Sequence, residues 1–203
     1  MICFTSCERY PVSALLGIPA PIDSWPDPWY LYDDEINTKG SLAPFKWESS
    51  TGCADWDKVK LDFACKYNPK KGRNCMKLTW IGNSKDPSST YFGFGLMARE
   101  RGQVYKYIDL STSGYSHLQF WIRGTLYNNC TFQISIPKNG DEKWVVRELN
   151  SSQISSEWTP ISISLPNIED MTAIEYDIAI SLIADGTTNG GTVYLDDIRF
   201  TKD

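Results

Sequence analysis

The sequence lacks the features by which several large classes of protein are recognised. None of its apolar stretches approaches the ~18–20 residues that a helix needs to span a bilayer, which predicts a soluble or tethered protein rather than an integral one. Its basic residues form no run longer than Lys70-Lys71 followed by Arg73, and the net charge is −5. We therefore expect no nucleic-acid partner, because nucleic-acid binding depends on a basic patch.

Histidine is also scarce. His117 is the single histidine of the chain, which excludes His-rich zinc sites and leaves any Ser-His or Cys-His nucleophile dependent on one residue. Aromatic residues, in contrast, make up 13% of the 203 residues. Many can pack in a core, but Trp and Tyr in such number also suit a surface that stacks on flat ligands.

The first 28 residues differ from the rest of the chain. Prolines, which block both helix and central strand, recur there at Pro11, Pro19, Pro21, Pro26 and Pro28. We interpret residues 1–28 as an N-terminal tether or wrapping arm, and residues 29–203 as one domain. The segment from Phe4 to Cys7 is similar to the end of a bacterial lipoprotein signal, although an incidental start before two cysteines fits equally well. We expect a secreted or cell-surface monomer, with lipidation of Cys7 as the membrane-anchoring alternative.

The cysteines support export weakly. Without Cys3 and Cys7 there remain Cys53, Cys65, Cys75 and Cys130, which can pair in three ways. Cys65 and Cys75 flank a turn, so a hairpin would bring them together, and this pair is the first candidate. Buried free thiols are the alternative, since no spacing here matches the paired C-x-x-C of metal sites.

From Lys58 onward the chain alternates apolar and polar residues in short segments separated by Gly, Pro, Asn or Asp. Clear examples are 117–123, 131–136, 161–165 and 174–182. Alternation with period two predicts antiparallel strands with one core face and one polar face. We therefore predict an all-β protein with little helix, built as a two-sheet antiparallel β-sandwich of the jelly-roll type.

The last predicted strand changes phase. Val193 and Leu195 are apolar at odd positions, but Ile198 and Phe200 are apolar at even ones, which predicts a bulge at Asp196-Asp197. Carboxylates at a bulge suit a hard cation such as calcium, which takes about six to eight oxygens. The further acids could come from the first strand, and the predicted metal ligands are Asp33, Asp34, Glu35, Asp196 and Asp197. The alternative is that these acids are solvated edge residues that discourage sheet-to-sheet pairing.

The order of several segments resembles a known family. The segments are Leu31-Tyr32-Asp33-Asp34-Glu35, Asn74 to Trp80, Tyr91 to Gly95, Leu118 to Gly124, Glu157 to Ile163 and, most specifically, Gly191 to Phe200. This order resembles the galactose-binding-like jelly rolls of carbohydrate-binding modules, nearest to the family-eleven type that binds β-glucans, over about residues 29–203. The resemblance implies a structural calcium near the first and last strands and a sugar-binding groove across the concave sheet. One departure is Glu35, which stands where the family usually has Phe.

The residue types that a sugar groove needs can be argued separately. A pyranose stacks its C–H face on an aromatic ring and offers its hydroxyls to carboxylate, amide and guanidinium groups. Tyr91 lies on one strand face with Gly93 and Gly95, which would leave a shallow channel. The predicted ligand-binding residues are Tyr91, Gln133, Trp144, Arg147, Glu175 and Asp177. Each has an alternative: the aromatic residues could be buried in the core, and the acids could form a solvated strand face.

We predict non-catalytic binding of a polysaccharide or oligosaccharide of the β-glucan type, with a structural calcium and no catalytic residue. Glu175 and Asp177 would lie roughly 6.5–7 Å apart at the backbone, which is compatible with a glycosidase. Nothing in the sequence marks either acid for desolvation, so the glycosidase is an alternative. A surface lipoprotein that binds another protein through an aromatic patch is the third class.

Overall fold

The computed structural model describes residues 25–36, 42–48, 59–81, 91–98, 110–111, 113–127, 131–137, 143–165, 178–183 and 190–202. Regular structure within these ranges consists of strands, namely β1 (Trp29–Asp33), β2 (Glu35–Ile36), β3 (Leu42–Glu48), β4 (Val59–Cys65), β5 (Cys75–Ile81), β6 (Tyr91–Ala98), β7 (His117–Tyr127), β8 (Thr131–Pro137), β9 (Lys143–Asn150), β10 (Thr159–Ser164), β11 (Ile178–Ile183) and β12 (Gly190–Thr201). Within the same ranges, no helix is long and apolar enough to cross a membrane. The predicted lipid site Cys7 and most of the arm lie outside the described residues.

The strands form two antiparallel sheets. The seven-stranded sheet has the order β10-β7-β12-β1-β2, with β5 paired to β12 and β4 paired to β5. The five-stranded sheet has the order β3-β6-β11-β8-β9. The predicted all-β, two-sheet sandwich is confirmed.

The alternation that predicted the strands sorts their side chains between core and surface. In β7, Leu118, Phe120 and Ile122 are buried, whereas Gln119 and Trp121 are half-buried. Burial of each large apolar side chain contributes about 1.5–3 kcal/mol, so this pattern fixes which face of the strand turns inward. A strand shifted by one residue would expose all three core side chains.

Aromatic rings close one end of the core. The rings of Trp29, Tyr115 and Phe200 stack on one another with centroids 5.6–6.1 Å apart, and Trp25 packs against two of them. The Tyr115 hydroxyl donates a hydrogen bond of 2.7 Å to the carbonyl of Pro26. The last described residues of the predicted arm are therefore packed against the domain.

The predicted bulge in β12 is confirmed. The pairing of β12 with β7 shifts between Asp196 and Arg199, and Asp197 has a φ of 54°. The shift keeps Leu195 and Ile198 buried on the same side of the sheet. It also marks a change of partner, because β12 pairs with β5 before the bulge and with β1 after it.

The outer face of the seven-stranded sheet carries a buried arginine. Arg123 is 6% exposed, and its guanidinium lies 4.0 Å from the ring centroid of Tyr194, 5.0 Å from that of Trp158 and 5.1 Å from that of Tyr67. Its Nη2 donates a hydrogen bond of 2.7 Å to the carbonyl of Tyr67. The arginine thus joins β7, β12 and the chain after β4 on this face.

Candidate functional site

One face of the five-stranded sheet points away from the core. Phe132 and Ile134 of β8 are buried, whereas Gln133 between them is half-buried. Because successive residues of a strand alternate between faces, Gln133 marks the outer face.

The register carries that face across all five strands. Gln133 pairs with Ser181, Ser181 with Gly93, and Gly93 with Trp47, while Glu148 pairs with Gln133 on the other side. Residues directly opposite each other in neighbouring strands share a face. The row therefore runs from an aromatic residue over two small residues to an amide and a carboxylate.

The next row repeats the pattern. Gly95 pairs with Ala179 and Ala179 with Ser135, while Phe45 and Val145 hold the two ends of the row. Three small residues thus occupy the middle strands, as glycine and alanine leave little side-chain volume above a sheet. Ser135, the member of this row on β8, is itself 3% exposed, so the row is low in side-chain volume at its β8 position but buried there.

The polar end of the first row is organised by a hydrogen bond. Nε2 of Gln133 donates to Oε1 of Glu148 at 3.0 Å. The bond holds the amide oxygen of Gln133 and the second carboxylate oxygen of Glu148 as acceptors for ligand hydroxyls. Two side chains on neighbouring strands therefore present hydrogen-bonding groups as one unit.

The predicted ligand-binding residues are only partly brought together. Tyr91 pairs with Ile183, which pairs with Thr131, so its register position is on the face of Gln133. Arg147 is exposed and lies in β9 at a bulge opposite Ile134.

Trp144 and the two predicted acids are placed differently. Trp144 pairs with Ile136, the residue after Ser135 in β8. Ser135 shares the register face of Gln133 and Ile136 does not, so the register does not align Trp144 with Gln133. Glu175 and Asp177 lie outside the described residues, and their role stays a prediction.

A second group of polar residues surrounds the turn between β4 and β5. Oδ2 of Asp196 accepts hydrogen bonds from the backbone N–H groups of Lys70 and Lys71, at 2.8 and 3.0 Å. Oδ1 of Asp34 accepts them from Arg73 and Asn74, at 2.5 and 2.8 Å. One predicted metal ligand from the first strand region and one from the last thus hold the two ends of a single turn.

The turn requires glycine where it meets Asp34. Gly72 has a φ of 58°, a conformation that glycine adopts without strain. A Cβ atom at this position would overlap the carboxylate of Asp34. The hydrogen bonds of Asp34 therefore depend on the absence of a side chain at residue 72.

The pKa values of the two carboxyl groups, Asp34 and Asp196, are shifted in opposite directions. The N–H of Asn74, together with that of Arg73, holds the pKa of Asp34 below its usual value. Burial raises the pKa of Asp196, although the N–H groups of Lys71, Lys70 and Asp197 act against it. Asp33 and Glu35 pair with each other in the β1–β2 hairpin and are exposed.

Asp197 is buried among cations. Its Oδ2 lies 2.8 Å from Nζ of Lys71 and 2.6 Å from Nη1 of Arg199. Its Oδ1 is buried and accepts no hydrogen bond, and the same holds for Oδ1 of Asn74. A buried oxygen without a donor is unfavourable by about 1–3 kcal/mol, so both atoms have capacity for a cation or a water.

The side chains around this turn can be compared with the ligands that calcium requires. The described residues contain no group of three or more acidic, histidine or cysteine side chains that could hold a metal ion. A hard cation would instead rely on the two unpartnered oxygens of Asp197 and Asn74, completed by backbone carbonyls and water. Oxygen is the donor type that calcium takes, but these two atoms include one carboxylate oxygen, and the other oxygen of that carboxylate already pairs with Lys71 and Arg199.

Several of these residues were not among the sequence predictions. Trp47, Glu148 and Asn74 take their places through pairing with distant segments. Glu148 could have been predicted from Gln133 if the register of the β8–β9 pair had been known, since the two residues are direct partners in these neighbouring strands.

The fold is a two-sheet β-sandwich, and the matching family model identifies it as a module of the carbohydrate-binding class. The family model for carbohydrate binding domain 30 matches residues 34–202, and the chain belongs to this family. The domain is a non-catalytic module that binds carbohydrate. Modules of this kind are typically extracellular parts of secreted enzymes.

A solved carbohydrate-binding module shares the fold. The chain is similar to the family 11 carbohydrate-binding module of the cellulosomal cellulase Lic26A-Cel5E of Clostridium thermocellum, at 16% identity and a TM-score of 0.50, over 87% of this chain and 95% of that one. It is also similar to a variant of the family 29 module CBM29-2, at 11% identity and a TM-score of 0.47, over 87% of this chain and 92% of that one. No curated protein sequence matches the chain significantly.

Proposed function

We propose that the outer face of the five-stranded sheet binds a linear polysaccharide of the β-glucan type. The observation that carries this proposal is the row from Trp47 over Gly93 and Ser181 to Gln133 and Glu148. A sugar ring needs an aromatic face on one side and hydroxyl partners on the other, with room between them. The row supplies these three elements in a family that binds carbohydrate.

The residues have distinct roles in this proposal. Tyr91 and Trp47 stack on sugar rings, because both share the register face of Gly93. The amide of Gln133 accepts hydrogen bonds from hydroxyls and donates to them, and the carboxylate of Glu148, which is paired with Gln133, accepts them.

We assign Arg147 of β9 to the rim of the site. Exposed Arg147 would donate to hydroxyls beyond Glu148. Trp144, Glu175 and Asp177 are kept as candidates that the same experiment separates from the central set.

Affinity electrophoresis on gels containing mixed-linkage β-glucan tests the proposal. Loss of one stacking ring should weaken binding by roughly 1–3 kcal/mol, which is about a 5-fold to 140-fold loss of affinity. We expect Tyr91→Ala and Trp47→Ala to lose retardation, and Gln133→Ala to lose part of it. Trp158→Ala is the matched control, because Trp158 directly precedes β10 of the other sheet and its ring contacts Arg123 there.

The outcomes are distinct. Parent-like retardation of both folded variants would show that binding does not use this face. Loss of binding in Trp144→Ala but not in Trp47→Ala would move the platform to the β9 edge. Absence of retardation across a panel of linear polysaccharides would refute the β-glucan ligand.

We also propose that a calcium ion stabilises the turn between β4 and β5. Asp197 and Asn74 would hold it through their buried, unpartnered oxygens. The ion would supply a hard positive charge beside Asp197 and share that carboxylate with Lys71 and Arg199. Support comes from these oxygens and from the resemblance seen in the sequence.

Thermal unfolding with calcium and with a chelator tests this second proposal. An ion that binds the native state alone stabilises it by mass action, so excess chelator should lower the melting temperature. Asp197→Asn should remove the response, whereas Asp33→Asn, at an exposed position of the hairpin, should keep it. Identical melting curves in calcium and chelator would show that Lys71 and Arg199 alone neutralise the carboxylate.

A further inference from the structure

The two cysteines nearest to the turn face each other across the sheet. Cys65 ends β4, Cys75 begins β5, and the two are direct partners in the antiparallel ladder. Opposite residues in such a ladder have Cα atoms about 4.5–5.5 Å apart. Disulfides span Cα distances of about 4.4–6.8 Å, so the backbone already has the required separation.

An irregularity in β4 creates this alignment. Asp62 pairs with Lys77, so regular pairing would place Ala64 opposite Cys75. The register shifts before Cys65, and the extra residue brings Cys65 opposite Cys75 instead. Without the shift Cys65 would lie on the opposite face of the strand.

Both thiols are buried. Cys65 is 7% exposed and Cys75 is 0% exposed, and both are free thiols in this structure. Sγ of Cys75 lies 3.5 Å from the backbone carbonyl oxygen of Cys65 and 3.9 Å from that of Tyr67. Among the described residues no third ligating side chain joins them, which leaves a metal role without support.

We propose that Cys65 and Cys75 form a disulfide that closes the turn between β4 and β5. Each thiol loses its hydrogen, one S–S bond forms, and a small-molecule disulfide such as oxidised glutathione is reduced to two thiols in exchange. Because both thiols are buried in the native domain, the exchange occurs during folding, before the ladder forms around them.

The link would act on the polar turn of the site. The closed segment supplies the four N–H groups that hold Asp34 and Asp196, and it carries the Tyr67 carbonyl bound by Arg123. A cross-link restricts the unfolded chain and so favours the state in which these contacts form.

Peptide mapping after refolding with oxidised and reduced glutathione tests the proposal. Free thiols are blocked with iodoacetamide in guanidinium, and the protein is cut with trypsin, which has sites at Lys60, Lys66, Arg73 and Lys77. We expect one linked species joining Leu61–Lys66 to Asn74–Lys77, which separates into two peptides on reduction. Alkylated, unlinked peptides, or a link from either cysteine to Cys53 or Cys130, would overturn the pairing.

Stability supplies the second measurement. Reductant added during refolding should lower the melting temperature of the parent and of Cys53→Ser, but should leave Cys65→Ser unchanged. If reductant affected the parent and Cys65→Ser equally, the stabilising bond would be another one. Neither the peptide mapping nor the melting measurement uses a glycan, so both results are independent of the proposed sugar site.

Discussion

Replacement of Arg123 by methionine should destabilise the domain although methionine suits a buried position. Methionine keeps an unbranched side chain of similar length but has no charge and no donor. In the native domain the guanidinium of Arg123 contacts three aromatic rings and donates a hydrogen bond to the carbonyl of Tyr67. All of these interactions are lost in Arg123→Met.

The loss in the free energy of unfolding caused by Arg123→Met is the difference between opposing contributions. A desolvated cation–π contact contributes about 0.5–2 kcal/mol, and a hydrogen bond from a charged donor about 1.5–3 kcal/mol. Against this, Nε of Arg123 is buried without a partner, which is unfavourable by about 1–3 kcal/mol. We expect a net loss of about 2 kcal/mol, or a fall in melting temperature of about 4–8 °C for a domain of this size.

Urea unfolding followed by tryptophan fluorescence measures the change. The midpoint should fall while the slope stays constant, since the surface exposed on unfolding is the same. Lys77→Met is the matched control, because the Lys77 ammonium lies 5.8 Å from the Tyr194 ring and is half-buried. Its loss should stay within about 0.5 kcal/mol. An Arg123→Met variant as stable as the parent would refute the reasoning and show that desolvation of the guanidinium outweighs its contacts.

Two further predictions concern the backbone and the charge of the turn. Gly124→Ala should destabilise the domain by at least about 2 kcal/mol, because Gly124 has a φ of 152° and a Cβ would overlap the carbonyl oxygen of Thr192. Thr125→Ala, at the exposed neighbouring residue, should be nearly neutral. Equal urea midpoints for the two variants would contradict this prediction. Asp34→Asn should lower stability in chelator by about 1 kcal/mol at neutral pH, since the N–H of Asn74 holds the pKa of Asp34 low. A lowered native pKa contributes stability above the unfolded value of 3.8 and loses it as the pH falls through the native value, so the gap from the parent should close in acid; a gap independent of pH would contradict the assignment.

The strands themselves could be predicted from local pattern. The period-two alternation of 117–123 places Leu118, Phe120 and Ile122 in the core, and the structure buries all three. The phase change between Leu195 and Ile198 predicted the bulge for the same reason. A strand whose apolar residues before and after the phase change must all face the core needs an extra residue between them. Such signals lie within one segment and depend on burial alone.

The candidate site was less accessible to this reasoning. Gln133 was among the sequence predictions and stays one, whereas Glu148 and Trp47 were not predicted, because each joins the row of Gln133 only through strand pairing. Trp144 and Gln133 were assigned to one face, whereas the β9 bulge sets them in different rows. A single inserted residue reverses every later face assignment in a strand.

The sequence by itself therefore determined the all-β class, the location of strands and the bulge at Asp196-Asp197. Only the tertiary structure decided that β12 exchanges β5 for β1 at this bulge, and that Asp34 and Asp196 meet on one turn. The physical reason is that alternation follows from each segment's own exposure to core and solvent. Register and strand order follow from the packing of all segments together, which no single segment encodes.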